Sequence, residues 1–273
     1  MSTAIETCVR RTGPPAHNGG VSFQRYVALG DSFTEGVGDA DPTRPNGWRG
    51  WADRVAEALA AESKDFGYAN LAIRGRKLPG IIEEQVEPAI ALAPDLVTIH
   101  GGGNDVLRPK VDLDGLAATY DEAVGRLAAS GARVVMFTVA DPGLNSVMKL
   151  IRGRTAIFNE WVREIAEKHD ATVVDCWRMR GWKVAEIMDE DRLHLNPVGH
   201  QAIAIAVLDR LGVTHDLTPL AVPAAHELPR REQRQADLAW ARTHLAPWVG
   251  RRITGRSSGD GVLPKRPELA PIG

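Results

Sequence analysis

Five residues of this 273-residue chain are suited to nucleophilic catalysis. Ser32 ends the run Tyr26-Val27-Ala28-Leu29-Gly30-Asp31-Ser32, an apolar β-type stretch that closes in a polar turn. A serine hydroxyl attacks a carbonyl only with a base in hydrogen-bond reach and donors aimed at the oxyanion. His194 is the candidate base. Asp191 precedes it by three residues, a spacing that lets the carboxylate fold back on the imidazole and fix its tautomer; Asp189 and Glu190 are rival carboxylates beside it. Asn104 follows Gly101-Gly102-Gly103, where the backbone can come close to a ligand, and its side-chain N–H can donate to a negative oxygen. Gly75, in Arg74-Gly75-Arg76, offers a backbone N–H with no side chain in the way, and the Ser32 N–H offers another. Taken singly, each has a plainer reading as a turn serine, a helix-capping histidine, an Asx-turn asparagine or a turn glycine.

These residues need elements that bring them together. Five apolar segments read as strands: the run before Ser32, Phe66–Ala72 before Gly75, Asp95–His100 before the glycines, Arg133–Val139 and Thr172–Asp175. Near-continuous apolar strands suggest a parallel sheet covered on both faces. Between and after them, 51–61, 113–129, 146–169 and 197–211 carry apolar residues at helical spacing. The last begins with Asn196 and Pro197 at the N-cap and first helical positions. Strand and helix alternate from Tyr26 to Leu211, the pattern of an α/β domain. Open α/β sheets hold ligands at the C-terminal ends of their strands, which is where Ser32 and the glycine run fall. The chain therefore divides into a loose leader over 1–22, a domain over 23–212 and an extension over 213–273. In the extension, 227–249 reads as one amphipathic helix bearing Trp240 and Trp248, and 250–273 shows little pattern. It is expected to pack along the domain or to reach a neighbouring subunit of a homo-oligomer.

Composition narrows the function. The chain is 44% hydrophobic and 25% charged, with a net charge of −2. That is ordinary for a globular protein and gives no global electrostatic case for nucleic acid or an anionic membrane as partner. Arginines of the extension (230, 231, 234, 251, 252, 256) read as a solvated face. Cys8 and Cys176 make no disulfide framework. The first twenty residues lack the apolar core of a secretory signal, and no apolar run has the length of a membrane span. A cytoplasmic protein is the expectation.

Four short blocks, in order, resemble those of the GDSL family, also called the SGNH hydrolases: Gly30-Asp31-Ser32-Phe33; Gly75 in Asn70-Leu71-Ala72-Ile73-Arg74-Gly75; Gly102-Gly103-Asn104-Asp105; and Asp191-Arg192-Leu193-His194, followed by Asn196-Pro197-Val198-Gly199-His200. The resemblance covers roughly residues 24–211. It implies a flavodoxin-like three-layer α/β/α sandwich on a five-stranded parallel sheet. It also implies esterase, lipase, thioesterase or carbohydrate-deacetylase activity, without metal or other cofactor. Carried over by position, Ser32 is the nucleophile, His194 the base and Asp191 its orienter, with Ser32, Gly75 and Asn104 forming the oxyanion hole. Phe33 replaces the family's leucine at a packing position. Asp31 and Asp105 are expected to hold loops, and His200 to be packed within its helix.

The expected substrate is a small-molecule carboxylic ester. Polar residues between Ser32 and the first long helix (Asp39, Asp41, Arg44, Asn46, Trp48, Arg49) and in loop 141–146 (Asp141, Asn145, Ser146) favour a short-chain or acetyl ester of a polar or carbohydrate alcohol over a triglyceride. The alternatives are an acyltransferase with the same machinery, a lipase or thioesterase on longer chains, and a binding protein that retains the pocket. Gly255-Arg256-Ser257-Ser258-Gly259 matches the G-x-S-x-G nucleophile elbow, but no strand precedes it and no histidine follows.

Overall fold

The computed structural model describes residues 22–144, 148–179, 184–222 and 229–272. Nearly all of the leader, with Cys8, and Asn145 and Ser146 lie outside the described residues, as do the side chains of Arg230 and Arg252. In chain order the elements are β1 (Arg25–Leu29), α1 (Ser32–Glu35), α2 (Gly50–Glu62), β2 (Gly67–Asn70) and α3, which runs from Leu78–Ile81 through a π turn, Ile82–Val86, into Glu87–Ala91. There follow β3 (Leu96–Ile99), α4 (Gly103–Val106), α5 (Leu113–Ala129), β4 (Arg133–Phe137), α6 (Arg152–Lys168), β5 (Thr172–Val174), α7 (Val184–Ile187) and α8 (Pro197–Leu211). The extension adds α9, running from Arg230–Trp240 through a π turn, Ala241–Leu245, into Ala246–Ile253, and then β6 (Arg266–Ala270).

The sheet order is β5-β4-β3-β1-β2-β6, with β1 to β5 parallel. Strand side chains alternate between two faces, so each face builds its own core. Val27, Leu29, Val97, Ile99, Val134 and Met136 pack against Leu78 and Val86 of α3, Tyr120 and Val124 of α5, and Phe158 and Val162 of α6. Tyr26, Ala28, Tyr68, Leu96, Val135 and Phe137 pack against Trp51, Val55 and Leu59 of α2 and Ile203, Val207 and Leu208 of α8. The result is the expected three-layer α/β/α sandwich. The order reverses at β1: the chain goes from β1 to β2 on one side, then to β3 on the other. Crevices at such a reversal, at the strand C-termini, are where open sheets bind ligands. Ser32 follows β1 and Asn104 follows β3, so both stand at that crevice. Among the described residues no helix is long and apolar enough to cross a membrane.

The sheet has six strands rather than five. The sixth, Arg-Pro-Glu-Leu-Ala, pairs antiparallel with β2. It has no apolar alternation because it covers an edge and is half exposed, and Pro267 is tolerable only on such an edge. The sequence pattern also leaves out α3. Pro79, Gly80 and Pro88 interrupt its helical signal, and the π turn Ile82–Val86 ends just before Pro88, the residue with no N–H to donate. The same device recurs in α9, where Pro247 follows the π turn 241–245.

The extension packs on its own chain through a buried ion pair. Lys265 Nζ lies 2.8 Å from Asp53 Oδ1 of α2, with both side chains at 0% exposure. It also donates to the carbonyls of Arg49 at 2.7 Å and Trp48 at 3.2 Å, so all three ammonium protons are used. Asp53 accepts the Tyr68 hydroxyl as well, at 2.9 Å. Burial pushes the Asp53 carboxyl up and the Lys265 ammonium down, against their mutual attraction. Such a pair adds little net stability, yet removing one partner strands the other charge. Lys265→Met should therefore cost about 3–5 kcal/mol in urea unfolding. The double variant Lys265→Met/Asp53→Asn should regain a substantial part of that; a double variant as unstable as the single one would contradict the account.

Candidate active site

Ser32 is the first residue of α1, a single turn whose N-cap is Asp31. The Asp31 carboxylate accepts the Phe33 N–H at 3.1 Å, and its carbonyl accepts those of Thr34 and Glu35. Phe33 packs among His100, Trp51 and Phe137. With its own hydroxyl facing the crevice, Ser32 Oγ lies 2.9 Å from His194 Nε2.

His194 stands in the turn between α7 and α8. On its far side Nδ1 lies 2.5 Å from Asp191 Oδ2. Asp191 Oδ1 accepts the backbone N–H groups of Leu193 and His194, both at 2.9 Å. Burial alone would raise the Asp191 carboxyl. The hydrogen bond and charge of His194, with the two N–H donors, outweigh it and hold the group well below the usual carboxylate range. Of the three neighbouring carboxylates it is Asp191, not Asp189 or Glu190, that faces the imidazole. Between them, Arg192 adopts a left-handed conformation at φ 57°. It is held from α9 by Asp237 at 2.9 Å and by stacking over Trp240 at 4.8 Å.

The oxyanion candidates come from two other loops. Gly75 has φ 76°, and a Cβ there would collide with Ser257 Oγ. Its glycine identity is thus required by backbone conformation and by tail packing, whatever else it does. Among the described residues, nothing accepts from the backbone N–H of Gly75 or Ser32. Arg74 beside it is clamped by Glu35, the last residue of α1. The Glu35 side chain is 0% exposed, accepts the Arg74 backbone N–H at 2.8 Å and pairs with its guanidinium at 2.5 Å. Asn104 is the second residue of α4, whose N-cap is Gly102, where φ is 90° and any Cβ would enter the Phe158 ring. Its Nδ2 is already committed, donating to Asp31 Oδ2 and to the Arg76 carbonyl at 3.0 Å each. An oxyanion would have to replace one of these acceptors.

The structure thus brings Ser32, Asp191 and His194 into one hydrogen-bonded chain and ties Asn104 to the serine turn through Asp31. Asp105 accepts the Leu78 N–H at 2.9 Å. His200 is fully buried between the Trp51 N–H and the Val37 carbonyl, and burial pushes it down to about 4. The polar residues expected to contact substrate are mostly committed to partners within the fold. Asp39 pairs with Arg54, Asp41 with Thr43 and Arg44, and both Arg44 and Arg49 with Glu57. Asp141 pairs with Arg152. Sequence pattern alone does not single out Glu35, Lys265, Asp237 or a lining role for α9; the two tryptophans of its amphipathic run are the available signal for the last.

The sequence profile of the GDSL-like lipase/acylhydrolase family matches residues 28–202. No curated protein matches the chain. Among solved structures, LAE5, an alpha/beta hydrolase enzyme from the metagenome of Lake Arreo, Spain, is 23% identical. The likeness covers 70% of this chain and 96% of that one, with a TM-score of 0.59. Axe2, an acetylxylan esterase from Geobacillus stearothermophilus, is 24% identical over 71% of this chain and 96% of its own, also with a TM-score of 0.59. Catalytic mutants of Axe2 replace a serine, an aspartate and a histidine by alanine. At these identities the likeness is one of fold.

The short Asp191–His194 bond should give a low-field imidazole Nδ1–H proton resonance. It should vanish in Asp191→Asn and persist in Asp189→Asn and Glu190→Gln. A carboxyl whose folded-state pKa is depressed stabilises the fold above its unfolded value and loses that contribution only as pH falls through the depressed one. The resonance should therefore survive acidification below the ordinary carboxylate value of 3.8 wherever the fold does. Its loss in either rival variant would reassign the carboxylate.

Proposed function

The chain belongs to the GDSL-like lipase/acylhydrolase family and is a carboxylic ester hydrolase; from that premise we propose that it is a serine esterase working through an acyl-enzyme on short-chain, chiefly acetyl, esters of small polar or carbohydrate alcohols. The observation that carries the reading is the chain of two short hydrogen bonds from Ser32 to His194 to Asp191. Ser32 Oγ attacks the acyl carbonyl and its proton passes to His194 Nε2. Asp191 keeps the imidazole in the tautomer that accepts there and stabilises the imidazolium that forms. The negative oxygen of the tetrahedral intermediate takes the unpartnered N–H groups of Ser32 and Gly75, and Asn104 turns one amide proton to it from Asp31 or Arg76. His194 returns the proton to the leaving alkoxide, so the alcohol departs neutral. Water then attacks the acyl-serine, gives its proton to His194, and Ser32 is regenerated as the carboxylic acid leaves.

The preference for a short acyl group is supported by the tail. Ser257 and Ser258 sit on Gly75, and Gly259 fits so closely against the Arg74 carbonyl that a Cβ there would collide with it. Fold likeness to an acetylxylan esterase agrees with it. The free, buried Cys176 agrees with a reducing compartment such as the cytoplasm.

p-Nitrophenyl esters from acetate to long chains, assayed with wild type beside Ser32→Ala, test this directly. Activity greatest on acetate and abolished in Ser32→Ala is the expected result; activity that survives the substitution would overturn the nucleophile, and a long-chain optimum the acyl preference. Asn104→Ala should lower kcat by roughly 10²–10³ with the fold intact. An added alcohol that collects the acyl group in place of water would make the enzyme a transferase.

A further inference from the structure

Resting on the esterase reading, we propose that α9 builds a subsite for the alcohol half of the substrate, shaped for a ring with a flat apolar face. A cavity of about 300 Å³ opens beside His194, walled on one side by Asp191, Leu193 and His194 and on the other by Trp240, Leu245 and Trp248. That is at the lower end of the range for small-molecule sites, roughly 300–1,000 Å³. Its position assigns its use. The imidazole that took the serine proton must hand it to the leaving oxygen, so the leaving alcohol lies on the His194 side, away from Gly75. The α9 wall belongs to a segment beyond the family match at residues 28–202.

Its chemistry points to a ring. Indole faces take up the apolar face of a pyranose or a benzene ring and gain little from a flexible alkyl chain. Trp240 is held in place from behind, with Arg192 over its ring at 4.8 Å and Asp237 fixing Arg192. Its indole N–H is buried with no hydrogen-bond partner among the described residues, so the ring itself, not this donor, is what the cavity presents. The π turn 241–245 aims Thr243, His244 and Leu245 at the same cavity, and π turns of this kind recur at functional sites.

The test uses the acetates of three alcohols: ethyl acetate, benzyl acetate and a mono-O-acetylated methyl pyranoside. Binding is read in the full-length Ser32→Ala protein by ligand-observed NMR, which needs no turnover, and hydrolysis in the wild type. Both ring esters, or one of them, should bind at least tenfold more tightly than ethyl acetate. Trp240→Ala and Trp248→Ala should each raise KM for that ring ester about tenfold, and Trp248→Ala, which leaves the Arg192 support on Trp240 in place, should lower kcat/KM for the ring ester at least fivefold more than for ethyl acetate. Thr243→Trp, which fills the cavity without removing a wall, should do the same, and so separates loss of the subsite from loss of fold. The better ring ester identifies the ring as sugar or aryl. Equal binding of all three acetates, or equal losses on ethyl acetate and ring esters in the variants, would overturn the subsite. Tight ring-ester binding without hydrolysis by wild type would leave the subsite standing and overturn the esterase reading.

Discussion

The ion pair between Glu35 and Arg74 sets the geometry on which the site depends. A carboxylate with no solvent exposure is tolerable only when it is paired and hydrogen-bonded, and Glu35 meets that condition only if the loop after β2 comes to it. It binds the backbone N–H of Arg74 as well as the guanidinium. This locks the peptide before Gly75 against the turn that begins at Ser32. Asp31, at the other end of that turn, draws in Asn104. The hydroxyl of Ser32 reaches His194. One helical turn of four residues therefore anchors three loops that come from separate parts of the chain. The parallel sheet supplies the coarse placement, since strands running the same way deliver β1, β2 and β3 to one edge. Buried polar contacts supply the fine placement.

The fold was legible where its signals are local. The five parallel strands are apolar runs that need no partner to be recognised, and α8 announces itself through Asn196, which caps Gly199 at 3.0 Å as the Asn-Pro start implies. Ser32, Asn104 and the Asp191–His194 pair were legible because each sits in a turn with glycine or a fixed spacing. What the sequence hid is non-local. Asp53 reads as one acidic residue on an amphipathic helix, and Lys265 as one basic residue in a patternless tail; only the folded chain makes them partners. Strand β6 takes its identity from the edge of β2 rather than from its own residues, and α3 is masked by its prolines. The polar residues of 39–49 misled in a related way: side-chain type announces hydrogen-bonding capacity, and the fold had already used most of it on Glu57, Arg54 and Thr43.

The region beyond the family match is thereby part of the architecture of the candidate site. It holds the left-handed Arg192, whose conformation is costly in an L-residue, between Asp191 and His194. It lays Ser257 and Ser258 on Gly75. It does both through one amphipathic helix and one buried lysine, while the part of the chain within the family match carries Ser32, Asp191 and His194.

The pairing of β6 with β2 also bears on how the molecule comes into being. Translation proceeds from β2 to β6 across roughly two hundred residues, which at 5–20 residues per second occupies about 10–40 s. For that interval the nascent sheet has an open edge of unpaired amides at β2, the kind of template on which foreign strands add. Asp53 meanwhile waits without its cation, so the α2 face of the core can collapse only loosely. The edge that stays open longest is thus the one that the arriving tail must find.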